Sequence, residues 1–296
     1  MQQPFSRRTF LELTCAGVGG TFFGGCGNGF DVEAFFQKNF QEMTPAEKSR
    51  VVRRLEKKYS NTYGTSVSVS VHPARENTVF GFGLDHSLCI GCRRCVYGCV
   101  RENNISRDVQ IHYIRVVKMA ESELSLEKGD HYYHPAAVPE EGFSYMPVQC
   151  QQCDNPPCVK VCPVKALWQE ADGIVVLDYD WCIGCRDCMA ACPYRALKFN
   201  WRTPSVPENE INPATHYLGN RPRSRGVVEK CHLCIQRVRD GRYPACVEIC
   251  PTGARKFGNL LDPESEIRLA LKHFRTFKLK EELNTQPKFF YFFSLG

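Results

Sequence analysis

Sixteen of the eighteen cysteines in this chain lie in four runs of four, and their spacing constrains the fold more than any other feature. The runs are Cys89, Cys92, Cys95 and Cys99; Cys150, Cys153, Cys158 and Cys162; Cys182, Cys185, Cys188 and Cys192; and Cys231, Cys234, Cys246 and Cys250. The third run has the spacing C-x2-C-x2-C-x3-C-P, in which three cysteines bind one iron–sulfur cluster and the fourth binds a neighbouring cluster. The sequence therefore predicts iron–sulfur clusters that are held in pairs.

Zinc sites and disulfide bonds are the two other common uses of clustered cysteines. A structural zinc site needs four ligands, which usually come as two separated pairs. Runs of close cysteines, repeated four times with Cys-Pro at Cys162, Cys192 and Cys250, do not suit separate zinc sites. Exported chains often pair their cysteines in disulfides, but a chain of 296 residues can bury a core without them. Iron–sulfur clusters fit the spacing best.

The N-terminus has the features of an export signal. Arg7 and Arg8 precede a mildly apolar, glycine-rich stretch, and this arrangement is typical of a Tat signal peptide, here over residues 1–25. A protein that receives its metal in the cytoplasm has to be exported in the folded state, which agrees with this pathway. We therefore expect the mature protein in the periplasm, at the extracytoplasmic face of the cytoplasmic membrane.

The end of the predicted signal peptide leaves two interpretations open. Gly24 and Gly25 precede Cys26, as at a lipoprotein cleavage site, although Phe23 stands where a leucine is usual. Cys26 is then a lipidated first residue that tethers the chain to the membrane. The alternative is an ordinary signal peptide followed by an incidental cysteine. Cys15 falls in the part that would be removed.

The net charge does not indicate a nucleic-acid partner. The formal charge is +6 when cysteines are counted as neutral. Four oxidised [4Fe–4S] clusters with their thiolates contribute about −8, so the loaded protein carries about −2. We expect the basic residues between ligands, Arg93, Arg94 and Arg186, to offset cluster charge.

Residues 26–80 form an N-terminal extension ahead of the first cysteine run. Thr44 as N-cap, Pro45 at the first helical position and Glu47 three residues after the cap predict the start of a helix. Residues 66–71 alternate serine and valine, which predicts a half-buried strand. The extension packs on the cluster-binding part of the chain or docks a partner.

An internal repeat indicates two similar modules. The sequence C-I-G-C-R begins at Cys89 and again at Cys182, in each case four residues after an aspartate. Asp172-Gly173 lies between two apolar runs and predicts a hairpin turn.

Longer segments separate and follow the cysteine runs. The inserts at 103–147 and 199–229 have no simple period, so we expect surface loops and linkers. The aromatic end of the tail is too short to span a membrane and packs on a partner or folds back on its own domain.

The four runs taken in order resemble the four-cluster ferredoxin-type iron–sulfur subunits of membrane oxidoreductases. The segments 149–158 and 244–254 are especially similar to these electron-transfer subunits of dimethyl sulfoxide, polysulfide, tetrathionate and formate enzymes and of NrfD-linked complexes. The similarity covers roughly residues 82–293. It implies an α+β fold of two ferredoxin-like, two-cluster modules and four [4Fe–4S] clusters. The outer module would comprise residues 81–147 and 200–258, the inner module 148–199, and the C-terminal tail 259–296.

The resemblance also implies how the cysteines are shared. Cluster 1 would be bound by Cys89, Cys92, Cys95 and Cys250; cluster 2 by Cys231, Cys234, Cys246 and Cys99; cluster 3 by Cys150, Cys153, Cys158 and Cys192; and cluster 4 by Cys182, Cys185, Cys188 and Cys162. No catalytic residues are expected in such a subunit.

The expected function is electron transfer, without catalysis by this chain. One end of the series of clusters would meet an NrfD-like, quinone-reactive membrane subunit, and the other a molybdopterin subunit or a multihaem cytochrome c. The alternative is a freestanding periplasmic carrier that moves electrons between complexes.

Overall fold

The computed structural model describes residues 37–108, 111–121, 123 and 125–294. The Tat signal peptide predicted over 1–25 and the lipid proposed on Cys26 lie outside the described residues, and both remain predictions.

Short helices and strands alternate through the described residues, which confirms the predicted α+β class. The helices are α1 (Pro45–Tyr63), α2 (Arg94–Glu102), α3 (Pro157–Lys160), α4 (Asp187–Ala191), α5 (Ile235–Val238), α6 (Ala245–Glu248) and α7 (Glu266–His273). The strands are β1 (Ser68–Ser70), β2 (Phe80–Asp85), β3 (Arg115–Ala120), β4 (Phe143–Val148), β5 (Leu167–Gln169), β6 (Val175–Leu177), β7 (Lys198–Phe199), β8 (Ala214–His216), β9 (Val228–Glu229), β10 (Arg255–Asn259), β11 (Thr276–Phe277) and β12 (Phe289–Phe292).

A four-stranded sheet in the order β10-β2-β12-β11 joins distant parts of the chain. Strand β10 runs antiparallel to β2, with Phe257 opposite Phe82. The C-terminal strand β12 lies parallel to β2 on its other side, with Tyr291 opposite Leu84. Since Phe289 and Tyr291 are buried, the aromatic tail folds back into the core of its own chain.

The hairpin predicted at Asp172-Gly173 is present. Strands β5 and β6 pair antiparallel, with Trp168 opposite Val176. Gly173 has φ +77°, a conformation that favours glycine, and the Asp172 carboxylate is buried in an ion pair with Arg239 at 3.0 Å.

The N-terminal extension has the predicted helix start. Thr44 and Glu47 form the reciprocal capping box at the start of α1. The following strand β1 covers only Ser68–Ser70, shorter than the predicted 66–71, and pairs in parallel with β8.

Contacts of Phe40 attach this extension to two distant segments, one at Asp178 and one at Tyr217. The Phe40 amide donates to Asp178 Oδ2 at 3.1 Å, and its ring stacks on Tyr217 with centroids 4.6 Å apart. Arg221, which is 2% exposed, donates to Asp180 Oδ1 at 3.1 Å beside the same tyrosine. The extension therefore packs on the cluster-binding part of the chain, one of the two expected roles.

The expectation that both inserts are surface loops was wrong. The insert at 103–147 contains the antiparallel pair β3 and β4, and Val117 and Met146 face each other in its buried interior. The insert at 199–229 contains β8, β9 and the buried Arg221 network. Strands β3 and β4 are separated by a long connection with no short-turn signal, so the local sequence did not reveal their pairing.

Candidate metal centres

The loop after β2 presents the first cysteine run. A short 3-10 turn over His86–Leu88 follows β2, and α2 begins just after Cys92. Gly91 has φ +71°, and a Cβ at this position would lie 2.3 Å from the Tyr145 ring. Only glycine therefore fits between the two cysteines at this point of the loop.

The second copy of C-I-G-C-R has the same backbone form. Gly184 has φ +74°, and a Cβ there would lie 2.2 Å from the Gly226 carbonyl oxygen. In both copies the following arginine, Arg93 or Arg186, is in the left-handed region immediately before a helix. The sequence repeat is thus a repeat of cysteine-presenting loops.

One small cavity brings together the four cysteines assigned to cluster 1. The cysteines that line it are Cys89, Cys92, Cys95 and Cys250. The Cys250 thiol also lies 3.7 Å from the Thr252 hydroxyl. Residues separated by more than 150 positions in the chain therefore meet at one site.

The cysteines assigned to cluster 2 form a fully buried group. Burial and then the neighbouring thiols of Cys234, Cys231 and Cys246 raise the pKa of Cys99 well above its usual value. The Asn103 side-chain amide contacts two of these thiols, with Nδ2 at 3.4 Å from Cys99 Sγ and 3.5 Å from Cys234 Sγ.

The inner cysteines form the two remaining groups. Burial raises the pKa of Cys158 to about 12, and the thiols that raise it further are Cys150, Cys192 and Cys153. Burial likewise raises the pKa of Cys188 to about 12, with further contributions from Cys182, Cys162 and Cys185. These are the groups assigned to clusters 3 and 4. The assignment of individual ligands remains a prediction.

The donor set fits [4Fe–4S] clusters. All sixteen cysteines in the described residues are free thiols. Backbone amides that donate to the sulfur atoms are suited to an anionic cluster, as at Cys162 Sγ, which accepts from the Ala166 amide at 3.2 Å. Within the part of the chain described, no three His, Cys, Asp or Glu side chains form a group that could hold a single metal ion.

Two of the arginines between ligands, which were expected to offset cluster charge, also contact aromatic rings. The Arg93 guanidinium lies 4.2 Å from the Tyr133 ring centroid, and Arg186 lies 4.8 Å from the Trp201 ring centroid. Both therefore make cation–π contacts. The sequence interpretation did not identify the buried cations Lys230 and Arg255, although each is close in sequence to a ligand cysteine.

No helix in the described ranges has the length and apolar character needed to cross a bilayer. The paired cysteine groups, the repeated loops and the α+β fold define a multicluster, ferredoxin-type [4Fe–4S] protein.

Comparisons with known proteins agree with this class. Residues 142–211 and 216–260 match the family described as the 4Fe-4S dicluster domain. The chain is 41% identical to a Halobacterium salinarum protein named as an iron–sulfur subunit of dimethyl sulfoxide reductase, over 72% of this chain and 79% of the relative. It is 35% identical to a polysulfide reductase polypeptide of Wolinella succinogenes, over 71% of this chain and 92% of the relative. It is also 35% identical to protein NrfC of Escherichia coli, over 71% of this chain and 79% of the relative.

The chain belongs to the family of four-cluster ferredoxin-type iron–sulfur subunits of membrane oxidoreductases. Its cofactors are four [4Fe–4S] clusters.

Proposed function

We propose that this chain is a non-catalytic subunit that conducts electrons between a quinone-reactive membrane subunit and a second redox partner. When bound, each cluster accepts and releases one electron. The observation that carries the proposal is the arrangement of the sixteen cysteines, which form four groups in a series within one chain.

The effect of thiols in one group on the pKa of thiols in the next supports an order for the series. The Cys246 thiol of the cluster 2 group interacts with Cys95 and Cys250 of the cluster 1 group. The Cys231 thiol of the cluster 2 group interacts with Cys150 of the cluster 3 group. Since clusters 3 and 4 exchange their fourth ligands under the assigned pairing, the order is 1, 2, 3, 4.

Apolar residues are exposed at both ends of this series. At the cluster 4 end, Cys185 is the exposed cysteine of the sixteen, and Ile183 and Trp201 beside it are 51% and 63% exposed. At the cluster 1 end, Tyr97 and Ile249 are 54% and 42% exposed. Exposed apolar side chains next to ligand loops suit the docking of redox partners.

The relatives support the kind of partner proposed. They include the polysulfide reductase polypeptide, a menaquinone reductase iron–sulfur subunit and protein NrfC. We infer an NrfD-like integral membrane subunit at one end of the series, and a molybdopterin subunit or a multihaem cytochrome c at the other.

The proposed location is the extracytoplasmic face of the cytoplasmic membrane. The twin arginine at Arg7 and Arg8 supports Tat export of the folded, metal-loaded chain. A lipid on Cys26 would add a direct attachment to the membrane.

Purification from native membranes tests the proposal. An affinity-tagged chain is solubilised in mild detergent, and the copurifying proteins are identified by mass spectrometry. We expect an NrfD-like membrane protein together with a molybdopterin or multihaem protein. The alternative, a freestanding periplasmic carrier, predicts a monomer that is released by washing the membranes without detergent. That result would refute the subunit proposal.

A further inference from the structure

Two basic side chains are buried beside the cysteine groups. Arg255 is 2% exposed and Lys230 is 1% exposed. Burying a cation is unfavourable unless an opposite charge or strong hydrogen bonds compensate it. Among the described residues, neither side chain forms an ion pair with a carboxylate, whereas most other buried arginines of this chain do.

Arg255 lies where the cluster 1 and cluster 2 groups meet. It is the first residue of β10, and it lines the cavity formed by the cluster 1 cysteines. Its Nη1 donates to Gln149 Oε1 at 2.8 Å and lies 3.7 Å from Cys246 Sγ, a ligand assigned to cluster 2. Its Nη2 is buried and has no hydrogen-bond partner in the described part of the chain.

The negative partners available to Arg255 are sulfur ligands. Burial acts to lower the pKa of Arg255, but Cys95 and Cys246 hold it above its usual value. These two cysteines belong to different groups. The unpartnered Nη2 is therefore a donor suited to an anionic cluster.

Lys230 lies where the cluster 2 and cluster 3 groups meet. Its Nζ donates to the carbonyl oxygen of Cys231 at 2.8 Å and to that of Val175. The charge of the same ammonium acts to lower the pKa of the Cys231 thiol in one group and of the Cys158 and Cys192 thiols in the other. Both hydrogen-bond acceptors are neutral, so the charge of Lys230 also lacks a carboxylate partner.

We propose that Arg255 and Lys230 set the reduction potentials of the clusters on either side of the first two junctions in the series. Each fixed positive charge stabilises the reduced form, which carries one more negative charge, and so raises the potential of both neighbouring clusters. This inference rests on the cluster content and ligand assignment used for the proposed function. It does not depend on the identity of the partners.

Removing one of these charges should change the reduction potentials by a measurable amount. In a buried site, the Coulomb interaction of two charges several ångströms apart changes an equilibrium by on the order of tenfold or more. For a one-electron couple, a tenfold change corresponds to about 59 mV.

The test is an anaerobic redox titration of the purified, loaded protein followed by EPR, with bound iron measured for each variant. We expect Arg255→Gln to lower the potentials of clusters 1 and 2, and Lys230→Gln those of clusters 2 and 3, by about 59 mV or more. Arg255→Lys keeps the charge and should keep the potentials close to those of the parent. Arg94→Gln is the matched control, because Arg94 lies between Cys92 and Cys95 but is exposed, so solvent screens its charge.

Unchanged potentials in fully loaded Arg255→Gln and Lys230→Gln would overturn the proposal. Equal shifts of the potentials in Arg255→Lys and Arg255→Gln would also overturn it. So would loss of iron from both of these Arg255 variants, because the shape of the guanidinium would then matter and its charge would not. If the chain fails to copurify with a membrane partner while these shifts are present, the proposed subunit role is wrong and the present inference stands.

Discussion

The C-terminal strand β12 allows a direct test of how the tail is used. Phe289 and Phe290 are adjacent in this strand and point to opposite faces of the sheet. Phe289 is 1% exposed and stacks on Phe82 and Tyr291, with centroids 5.4 and 4.7 Å away. Phe290 is partly exposed and lies under Lys278 Nζ at 5.0 Å. Phe289→Ala should lower the free energy of unfolding by about 3–5 kcal/mol, and Phe290→Ala by about 1 kcal/mol or less.

An anaerobic thermal ramp at a fixed scan rate measures this difference through the loss of cluster absorbance. A change of 1 kcal/mol shifts the midpoint by about 2 °C in a chain of this size. We expect Phe289→Ala to unfold at a temperature about 6–10 °C below that of the parent, and Phe290→Ala within about 2 °C of it. Equal shifts for the two variants would refute the placement of β12 in the core. A larger shift for Phe290→Ala would show that the opposite face is the buried one.

Three further predictions concern other parts of the chain. Gly91→Ala should lose one cluster of the four, about a quarter of the bound iron in a colorimetric assay, because its Cβ would clash with Tyr145. The control Gly142→Ala has a similar φ of +77° and nothing within 4 Å of its Cβ, so it should keep all of the iron. Burial lowers the pKa of His216 to about 3, so stability is full above the unfolded pKa of about 6.5 and falls as the pH drops below it. At pH 5 the loss is about 2 kcal/mol, and His216→Gln should reduce this pH dependence in urea denaturation series. Arg221→Met removes the cation paired with the buried Asp178 and with Asp180 and should cost about 3–5 kcal/mol in the same assay, so a loss below about 1 kcal/mol would contradict the ion-pair geometry.

Local patterns were sufficient for the features that depend on neighbouring residues. The capping box of Thr44 and Glu47 and the turn at Asp172-Gly173 each involve residues a few positions apart, and the structure has both. The cluster content was also predictable, since ligand spacing within each cysteine run is local.

Features that depend on distant residues were not predictable in the same way. The pairing of Phe289 with Phe82 joins positions more than 200 residues apart, and nothing in either strand specifies the other. The burial of Lys230 and Arg255 runs against the usual exposure of charged residues, and only the assembled cysteine groups make it favourable.

The ligand assignment makes metal loading part of folding. Cluster 1 would connect Cys89 with Cys250, and a covalent link that closes a loop of this length stabilises the folded chain by about 5 kcal/mol on the chain-entropy estimate. The other three clusters close shorter or nested loops and add to this stabilisation, so the unloaded chain should not keep its fold. We therefore expect anaerobic removal of iron with a chelator to make the region around β2 and β10 sensitive to protease, as followed by mass spectrometry of the fragments. Unchanged protection after complete iron removal would refute this coupling.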